Sequence, residues 1–273
     1  MASAADGMAL VIPARLEATR FPRKLLHQIA GRSILEWTWR RAGEVAGLCG
    51  VWVATDSDEI AREAGAFGAL VLRTQAHRSG TDRVGAAVRQ IRPAPRWVVN
   101  LQGDEPLVDP RTIGRLCDTL RATDDEMVTC GAPVSSLDEW RDPSVVKVVC
   151  SADGRALYFS RAPIPGSQRG GDKDAFVSLR PLILAHVGIY GYPAGVLERL
   201  LALPGTPLEQ AESLEQLRAL EAGIPIRVVR VDGGGHGVDT KEDLLRVEPV
   251  LQREMEASRD KRSPEYTREG NTR

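Results

Sequence analysis

Two acidic residues follow an apolar run in residues 98–106, which read VVNLQGDEP. The apolar stretch predicts a buried strand, and Gly103 then exposes Asp104 and Glu105 at its carboxyl end. Ligands in open α/β sheets bind outside the carboxyl ends of the strands. A carboxylate held there can bind Mg²⁺ together with substrate phosphates. An acidic turn facing solvent would give the same pattern, so the neighbouring motifs are needed to distinguish a metal site from a solvated turn.

A basic loop follows the first predicted strand. Residues 13–24, PARLEATRFPRK, carry four cations against one carboxylate. Such a loop can surround a polyphosphate, because arginine binds two oxygens at once and lysine acts as a point charge. A solvated surface loop would have the same composition. The spacing matches neither a Walker A motif nor a Gly-x-Gly-x-x-Gly turn, so neither a P-loop ATPase nor a dinucleotide dehydrogenase is indicated.

Asp239 is a second candidate carboxylate. It follows the glycine-rich segment 233–238, GGGHGV, and comes directly before a predicted helix. An aspartate in this position normally caps the helix, but Thr240 already supplies a cap. Asp239 is therefore spare, and we interpret it as a second metal ligand.

Polar side chains in three other segments could contact a ligand. Residues 79–83, SGTDR, form a turn that could hold a base or a phosphate edge, although helix capping also explains them. Arg161 ends a predicted strand and suits a substrate carboxylate. Glu212, Glu215 and Gln216 share one face of a predicted helix, which is either a solvated surface or a set of partners for a polyol.

The candidate residues must be positioned by a folded scaffold. Short apolar runs alternate with helical patterns along the chain, which predicts an α/β fold with a mainly parallel sheet. A hairpin-like turn at 151–154 predicts antiparallel strands inserted in the middle of the chain. A polar connection is expected over 166–179, and a continuous helix over 206–222. The last helix is expected to run from 240 to about 252, before a charged, disordered tail.

The composition narrows the class of protein. The 36 basic residues nearly balance the 37 acidic ones, giving a net charge of -1, so no global basic field attracts nucleic acid. We find no signal peptide and no apolar stretch of about 18 residues, which predicts a soluble cytoplasmic protein without a membrane span. The four cysteines lack Cys-x-x-Cys spacing and are expected to be mostly buried free thiols.

The motifs, taken together and in order, resemble the 3-deoxy-manno-octulosonate cytidylyltransferase family, the CMP-Kdo synthetases, over roughly residues 9–250. The matching segments are IPAR at 12–15, TR at 19–20, P-x-K at 22–24, ATD at 54–56, SGTDR at 79–83, QGDEP at 102–106, VKVV at 146–149, YFSRAPIP at 158–165, HVGIY at 186–190, PLE at 207–209, Glu212, LEQLR at 214–218 and GVDT at 237–240.

The resemblance implies a role for each matching residue. Arg15 and Lys24 would hold the CTP triphosphate, and Asp104 and Asp239 would bind Mg²⁺; these four would carry the catalysis. The cytosine and ribose would be surrounded by Pro13, Ala14, Ser79, Gly80, Arg83 and Gln102. The sugar acid would be held by Arg161, His186, Tyr190, Glu215 and Gln216. By itself, a lone histidine at a strand start such as His186 is more typical of a structural residue.

The resemblance also implies a fold and an activity. The fold would be a three-layer, nucleotide-diphospho-sugar transferase-like (GT-A/Rossmann-like) mixed sheet with an inserted antiparallel dimerisation region at about 130–192. Residues 1–252 would form one domain of a homodimer, and 253–273 a tail. The enzyme would transfer CMP from CTP to Kdo, with Mg²⁺ as cofactor, for lipopolysaccharide-type sugars. The chain departs from the family at Leu16, usually aromatic, and at Arg23, usually glycine.

Two alternatives remain open from sequence. The acceptor could be another acid, such as an amino-Kdo, a sialic-acid-like sugar or a phosphonate. The chain could also be a catalytically silent nucleotide-binding module, although it retains both aspartates together with Arg15 and Lys24. A metal-dependent glycosyltransferase would normally need an Asp-x-Asp pair, which the Gly-Asp-Glu segment at 103–105 does not supply.

Overall fold

A mixed sheet lies at the centre of the computed structural model, which describes residues 7–17, 21–166, 172–233 and 237–260. The strands are β1 (Met8–Ala14), β2 (Gln28–Ile29), β3 (Arg32–Ser33), β4 (Gly50–Thr55), β5 (Leu70–Arg73), β6 (Trp97–Leu101), β7 (Met127–Pro133), β8 (Lys147–Cys150), β9 (Ala156–Ser160), β10 (Leu184–Pro193) and β11 (Ile226–Arg230). The large sheet has the order β11-β7-β10-β6-β1-β4-β5, and β8 pairs with both β10 and β9. Strands β2 and β3 form a separate hairpin.

The directions of the strands explain how the site is assembled. Strand β1 pairs in parallel with β4 on one side and with β6 on the other, and β4 pairs in parallel with β5. Strand β10 runs antiparallel to β6, β7 and β8, and β8 and β9 form an antiparallel hairpin. The predicted parallel sheet with antiparallel strands inserted in the middle of the chain is confirmed. The carboxyl ends of β1, β4 and β6 therefore meet at one edge.

Helices cover both faces of the sheet, which gives three layers. They are α1 (Ile34–Gly43), α2 (Asp58–Ala66), α3 (Gly80–Val88), α4 (Pro110–Arg121), α5 (Leu137–Arg141), α6 (Asp172–Leu179), α7 (Ala194–Leu201), α8 (Pro207–Glu212), α9 (Gln216–Glu221) and α10 (Lys241–Asp260). Buried residues of α1, α2, α4 and α10 share one apolar cluster with the sheet, and those of α3, α7 and α9 share another. No helix in the described ranges is long and apolar enough to span a membrane.

The predicted continuous helix over 206–222 is wrong, because the chain breaks between α8 and α9 at Ser213. This residue adopts a left-handed conformation with φ of 53°, and Leu214 and Leu217 are then buried while Leu208 is 40% exposed. The start is as expected, with Thr206 and Glu209 forming a capping box. The apolar pattern predicted helix correctly but could not show that burying Leu214 requires a turn.

Two further expectations need correction. Part of the predicted polar connection over 166–179 is α6, because Phe176 packs against Trp140 in a small third cluster. Residues 167–171 lie outside the described residues. The last helix extends to Asp260 rather than to about residue 252, and Glu254 within it forms an ion pair of 2.7 Å with Arg41. The remainder of the predicted tail, 261–273, lies outside the described residues.

The cysteines are free thiols, as predicted. Cys117 and Cys130 are buried and Cys49 is exposed, so the expectation of burial holds for only part of the set. Burial raises the pKa of the Cys117 thiol to about 11, because a thiolate is poorly solvated in the apolar interior.

Candidate active site

Lys24 connects the two candidate metal carboxylates. It lies in the short 3-10 helix Lys24–Leu26, and its Nζ donates hydrogen bonds to Asp104 Oδ2 and, at 2.7 Å, to Asp239 Oδ1. Burial alone would lower the pKa of this ammonium, but the charges and hydrogen bonds of the two aspartates raise it above its ordinary value. Lys24 is therefore charged, and its single positive charge is shared between the two carboxylates.

The backbone brings Asp239 to this position. Val238 is fully buried, and its N–H donates to Asp104 O at 2.8 Å, which docks residues 237–239 against the end of β6. The hydroxyl of Thr240 accepts from Asp243 N, so Thr240 is the cap of α10 and the Asp239 carboxylate is left to bond Lys24. Thr240 rather than Asp239 therefore provides the cap of this helix. Residues 234–236 of the preceding glycine-rich segment lie outside the described residues.

Glu105 is less accessible than its neighbour Asp104. Its Oε2 is buried and has no hydrogen-bond partner in the described part of the chain. Burial, followed by the charges of Asp104 and Asp239, raises the pKa of Glu105 to about 8. A Cβ on Gly237 would lie only 3.0 Å from Glu105 Oε1, so these two segments pack closely. This supports a structural role for Glu105, while Asp104 is the residue available to a ligand.

The cleft at this edge contains every residue that the sequence assigned to the nucleotide. It encloses about 880 Å³ including its open mouth. The predicted residues that line it are Pro13, Ala14, Arg15, Lys24, Ser79, Gly80, Arg83, Gln102, Asp104 and Asp239. The sequence missed Leu25, His77, Arg78 and Gly103, which also line it. The one signal in the sequence that could have found these four residues is that each lies within two positions of a predicted one.

The turn before α3 serves both as a cap and as part of the cleft wall. Ser79 caps α3 by accepting from Asp82 N at 3.1 Å. Gly80 allows a close approach, since a Cβ there would lie 3.3 Å from the amide of Gln102. The guanidinium of Arg83 is nearly buried and donates to Asp56 Oδ2 at 3.1 Å. Although burial acts to raise the pKa of Asp56, Arg83 holds it below its usual value.

A third cation of the basic loop, Arg23, does not join the cleft. Arg23 pairs with Glu59 of α2 and is not among the residues lining the cleft. Its backbone has φ of 59°, a left-handed conformation that glycine adopts without strain. The expected extra charge at the triphosphate position is therefore directed to α2. Thr19 and Arg20 lie outside the described residues.

None of the five residues predicted to hold a sugar acid is among the residues that line the cleft. His186 lies 5.3 Å from the ring of Tyr190 and 5.2 Å from that of Phe159, and its Nε2 is 3.0 Å from Thr129 Oγ1. Burial lowers the pKa of His186 to about 4, because an imidazolium cannot be solvated there. The ring is therefore neutral near pH 7. Thr129 was not predicted from the sequence.

Arg161 and Glu212 connect β9 to the end of α8. Glu212 Oε2 accepts from Arg161 N at 2.9 Å, its backbone carbonyl accepts from Arg161 Nε at 2.9 Å, and its Oε1 accepts from Ser160 Oγ at 2.6 Å. The side chain that we grouped with Glu215 and Gln216 therefore faces Arg161 instead. The left-handed turn at Ser213 separates Glu212 from the other two residues.

Glu215, at the start of α9, connects this helix to α3. Its Oε2 accepts from Thr81 Oγ1 at 2.5 Å, which ties it to α3 beside the cleft, and its Oε1 accepts from Arg218 at 3.1 Å. The next residue, Gln216, is buried, and its Nε2 has no hydrogen-bond partner among the described residues. A buried amide without a partner costs free energy, so Gln216 has a donor to offer a ligand.

Asp104 and Asp239 are the residues that could hold a divalent cation. No group of three or more His, Cys, Asp or Glu side chains with metal-binding potential occurs in the described ranges. Two carboxylates suit Mg²⁺, which keeps several waters and takes further oxygens from substrate phosphates. Their ability to share one cation is visible in the contacts of Lys24. The donor set therefore fits this metal.

Comparisons with known proteins point to one family. The model of a family described as "Cytidylyltransferase" matches residues 9–228. A 3-deoxy-manno-octulosonate cytidylyltransferase of Anaeromyxobacter dehalogenans (strain 2CP-1 / ATCC BAA-258) is 45% identical over 244 residues, which cover 89% of this chain and 97% of that protein. One from Myxococcus xanthus (strain DK1622) is also 45% identical, over 89% of this chain and 95% of its own length.

Solved structures agree with this relationship. The structure of a CMP:2-keto-3-deoxy-manno-octonic acid synthetase complexed with CTP superposes with a TM-score of 0.83 and 38% identity, covering 91% of this chain and 100% of that one. A 4-diphosphocytidyl-2C-methyl-D-erythritol synthase from Anaerococcus prevotii DSM 20548 is only 14% identical with a TM-score of 0.61, and shares the fold alone.

Proposed function

Because the chain belongs to the cytidylyltransferase family, we propose that it transfers CMP from CTP to the anomeric hydroxyl of 3-deoxy-D-manno-octulosonate (Kdo). Pyrophosphate is released, and the CMP-Kdo product serves lipopolysaccharide-type biosynthesis. The observation that carries the proposal is the single cleft in which Arg15, Lys24 and Gln102 meet the two aspartates. Relatives named for this activity match 89% of the chain.

The chemistry is displacement at the α-phosphorus of CTP. The acceptor oxygen forms a bond to phosphorus, the bond to the pyrophosphate oxygen breaks, and the hydroxyl proton leaves to solvent. Arg15 and Lys24 stabilise the negative charge of the leaving pyrophosphate, so catalysis consists mainly of positioning and charge stabilisation. The neutral, partly buried His186 is assigned to binding the acceptor rather than to proton transfer.

The proposed cofactor is Mg²⁺, held by Asp104 and Asp239. Support comes from the convergence of both carboxylates on the ammonium of Lys24. The bound ion would supply charge stabilisation to the phosphates and lower the pKa of the acceptor hydroxyl. In this proposal, the Lys24 ammonium leaves the two aspartates when they bind Mg²⁺ and contacts the triphosphate instead.

We also propose that the enzyme is a cytoplasmic homodimer. Three large apolar side chains of the inserted region are exposed: Leu157 by 62%, Val177 by 73% and Leu182 by 57%. Exposed apolar side chains concentrated in one region of a chain are typical of an interface. The cytoplasmic location would place the enzyme where CTP is available.

The test is pyrophosphate release from CTP with a panel of acceptors: Kdo, an amino-Kdo, a sialic acid and a phosphonate, each with and without Mg²⁺. We expect release with Kdo that requires Mg²⁺ and disappears when EDTA removes it. If the enzyme prefers another acid, it is still a cytidylyltransferase, but Kdo is not its acceptor. CTP binding without release for any acceptor would instead indicate a silent nucleotide-binding module.

A further inference from the structure

Lys147, at the start of β8, is fully buried and forms an unusual set of hydrogen bonds. Its Nζ donates to three backbone carbonyls: Asp142 O at 2.8 Å, Val145 O at 2.6 Å and Arg161 O at 2.6 Å. An ammonium carries three N–H donors, so each of them has an acceptor. None of the acceptors is a carboxylate, so the cation joins backbone segments rather than forming an ion pair.

A buried ammonium is a costly way to join segments. Removing a cation from water costs free energy, and apolar side chains of similar volume are often more stabilising in such positions. Buried polar groups that lower the stability of a fold occur at sites where function requires a fixed geometry. The position of Lys147 agrees with this, because β8 pairs with β9 before Arg161 and with β10 before His186.

The contacts of Lys147 converge on Arg161. Lys147 holds the backbone carbonyl of Arg161 directly, and it also holds the 142–145 turn at both ends. The guanidinium of Arg161 is anchored on that turn, because its Nη1 donates to Pro143 O at 3.1 Å, while its Nε donates to Glu212 O. No hydrogen bond described for Arg161 uses Nη2. One nitrogen of an immobilised guanidinium is thus left for an anion.

We propose that Lys147 is a positioning residue for the acceptor acid. Its ammonium fixes both the backbone of Arg161 and the turn that anchors the Arg161 side chain, so that Nη2 is held ready for the substrate carboxylate. Lys147 does not touch the substrate. This inference rests on the proposed function, since it concerns how the acceptor rather than CTP is bound.

The test compares the two substrates of the Lys147→Met variant, which keeps the length of the side chain but has no N–H donors. A small displacement of a binding group costs up to about 100-fold, so we expect the KM for Kdo to rise about 10- to 100-fold. The KM and Kd for CTP should stay within about twofold, because the nucleotide cleft is lined by other residues. A rise in the KM for Kdo without a change for CTP indicates a positioning role, because a general loss of structure would weaken the binding of both substrates.

A double-mutant cycle tests whether Lys147 acts through Arg161. If it does, Lys147→Met has little further effect on the KM for Kdo in an Arg161→Ala background. The matched control is Glu126→Gln, because Glu126 is also buried and bonds Arg155 and Arg227, tying the turn of the β8–β9 hairpin to β11. The control should lower the melting temperature without changing the KM for Kdo.

An unchanged KM for Kdo in a folded Lys147→Met variant would overturn the proposal, as would equal losses for Kdo and CTP. Lys147→Gln, which retains two N–H donors, should give an intermediate rise in KM. If neither variant folds, the role of Lys147 is global stability and the proposal is wrong. Failure of the proposed function is distinguishable, because the unaltered protein would then release no pyrophosphate with Kdo.

Discussion

Asp104 and Lys24 form the part of the site where single side chains control the chemistry. In the structure, each neutralises the other, and Asp239 shares the same ammonium. An asparagine at position 104 would keep the size of the side chain but remove the charge that binds both Lys24 and the proposed metal. The consequence is specific to catalysis, since the side chain lies in the cleft rather than in the core.

Asp104→Asn should therefore reduce kcat by about 100- to 1000-fold while the protein stays folded. Pyrophosphate release and circular dichroism measure the two effects. Asp118→Asn is a suitable control, because Asp118 is an exposed carboxylate paired with Arg121 on α4 and does not line the cleft. Near-normal turnover of Asp104→Asn would refute its assignment as a metal ligand.

His186 provides a pH-dependent prediction. Its folded pKa of about 4 lies below the ordinary value of 6.5, so the unfolded chain binds the proton more tightly. The contribution of neutral His186 to the free energy of unfolding should be fully present above pH 6.5. It should decrease as the pH falls towards 4, by up to roughly 3 kcal/mol. Urea unfolding between pH 4.5 and 8 measures this loss.

The His186→Gln variant should show a smaller loss of stability over the same pH range, because it has no imidazole to protonate. Its unfolding free energy at pH 8 provides the reference for effects of packing alone. If the variant loses as much stability on acidification as the unaltered protein, the buried histidine is not the group responsible.

The contact between α4 and β10 supports a prediction about packing of elements. Gly191 lies in β10, and a Cβ there would come within 2.8 Å of Leu120 and 2.9 Å of Leu116, both fully buried on α4. Gly191→Ala should destabilise the fold by about 1–3 kcal/mol, because the two buried leucine side chains would have to shift within the packed interior. Chemical unfolding measures the change.

Gly114 lies on the same helix and serves as the matched control. A Cβ at this position meets nothing within 4 Å. Gly114→Ala should therefore stabilise the protein by about 0.5–1 kcal/mol, as expected for alanine in a helix interior. Equal effects of the two variants would contradict the described packing of α4 on the sheet.

The whole molecule is expected to associate through the inserted region. Light scattering should give a mass of about twice 29.7 kDa. Val177→Asp and Leu182→Asp place charges on the exposed apolar side chains of this region and should shift the mass towards that of the monomer. Leu245→Asp is the control, because Leu245 is similarly exposed but lies on α10. A monomeric parent protein, or unchanged mass in both variants, would refute the proposed interface.

Much of the fold was predictable because it depends on local patterns. Apolar runs identified the main strands of the large sheet, and residues such as Ser79 and Thr206 identified the starts of helices. The left-handed turn at Ser213 was not predictable, because serine gives no signal comparable to glycine there. Helix α6 was missed because its buried residues Ala175 and Phe176 are adjacent in the sequence, which gives little helical periodicity.

The sequence by itself, through its resemblance to the cytidylyltransferase family, predicted most of the residues that line the cleft. The carboxyl ends of the parallel strands bring several of these motifs to one edge. The tertiary structure alone decided what those residues bond. Lys24 contacts Asp104 and Asp239, which are 80 and 215 positions away, while Arg23 turns to Glu59. Lys147 likewise acquires the backbone carbonyl of Arg161 as a partner only when β8 and β9 pair. Such contacts depend on the packing of distant segments, and no local pattern encodes them.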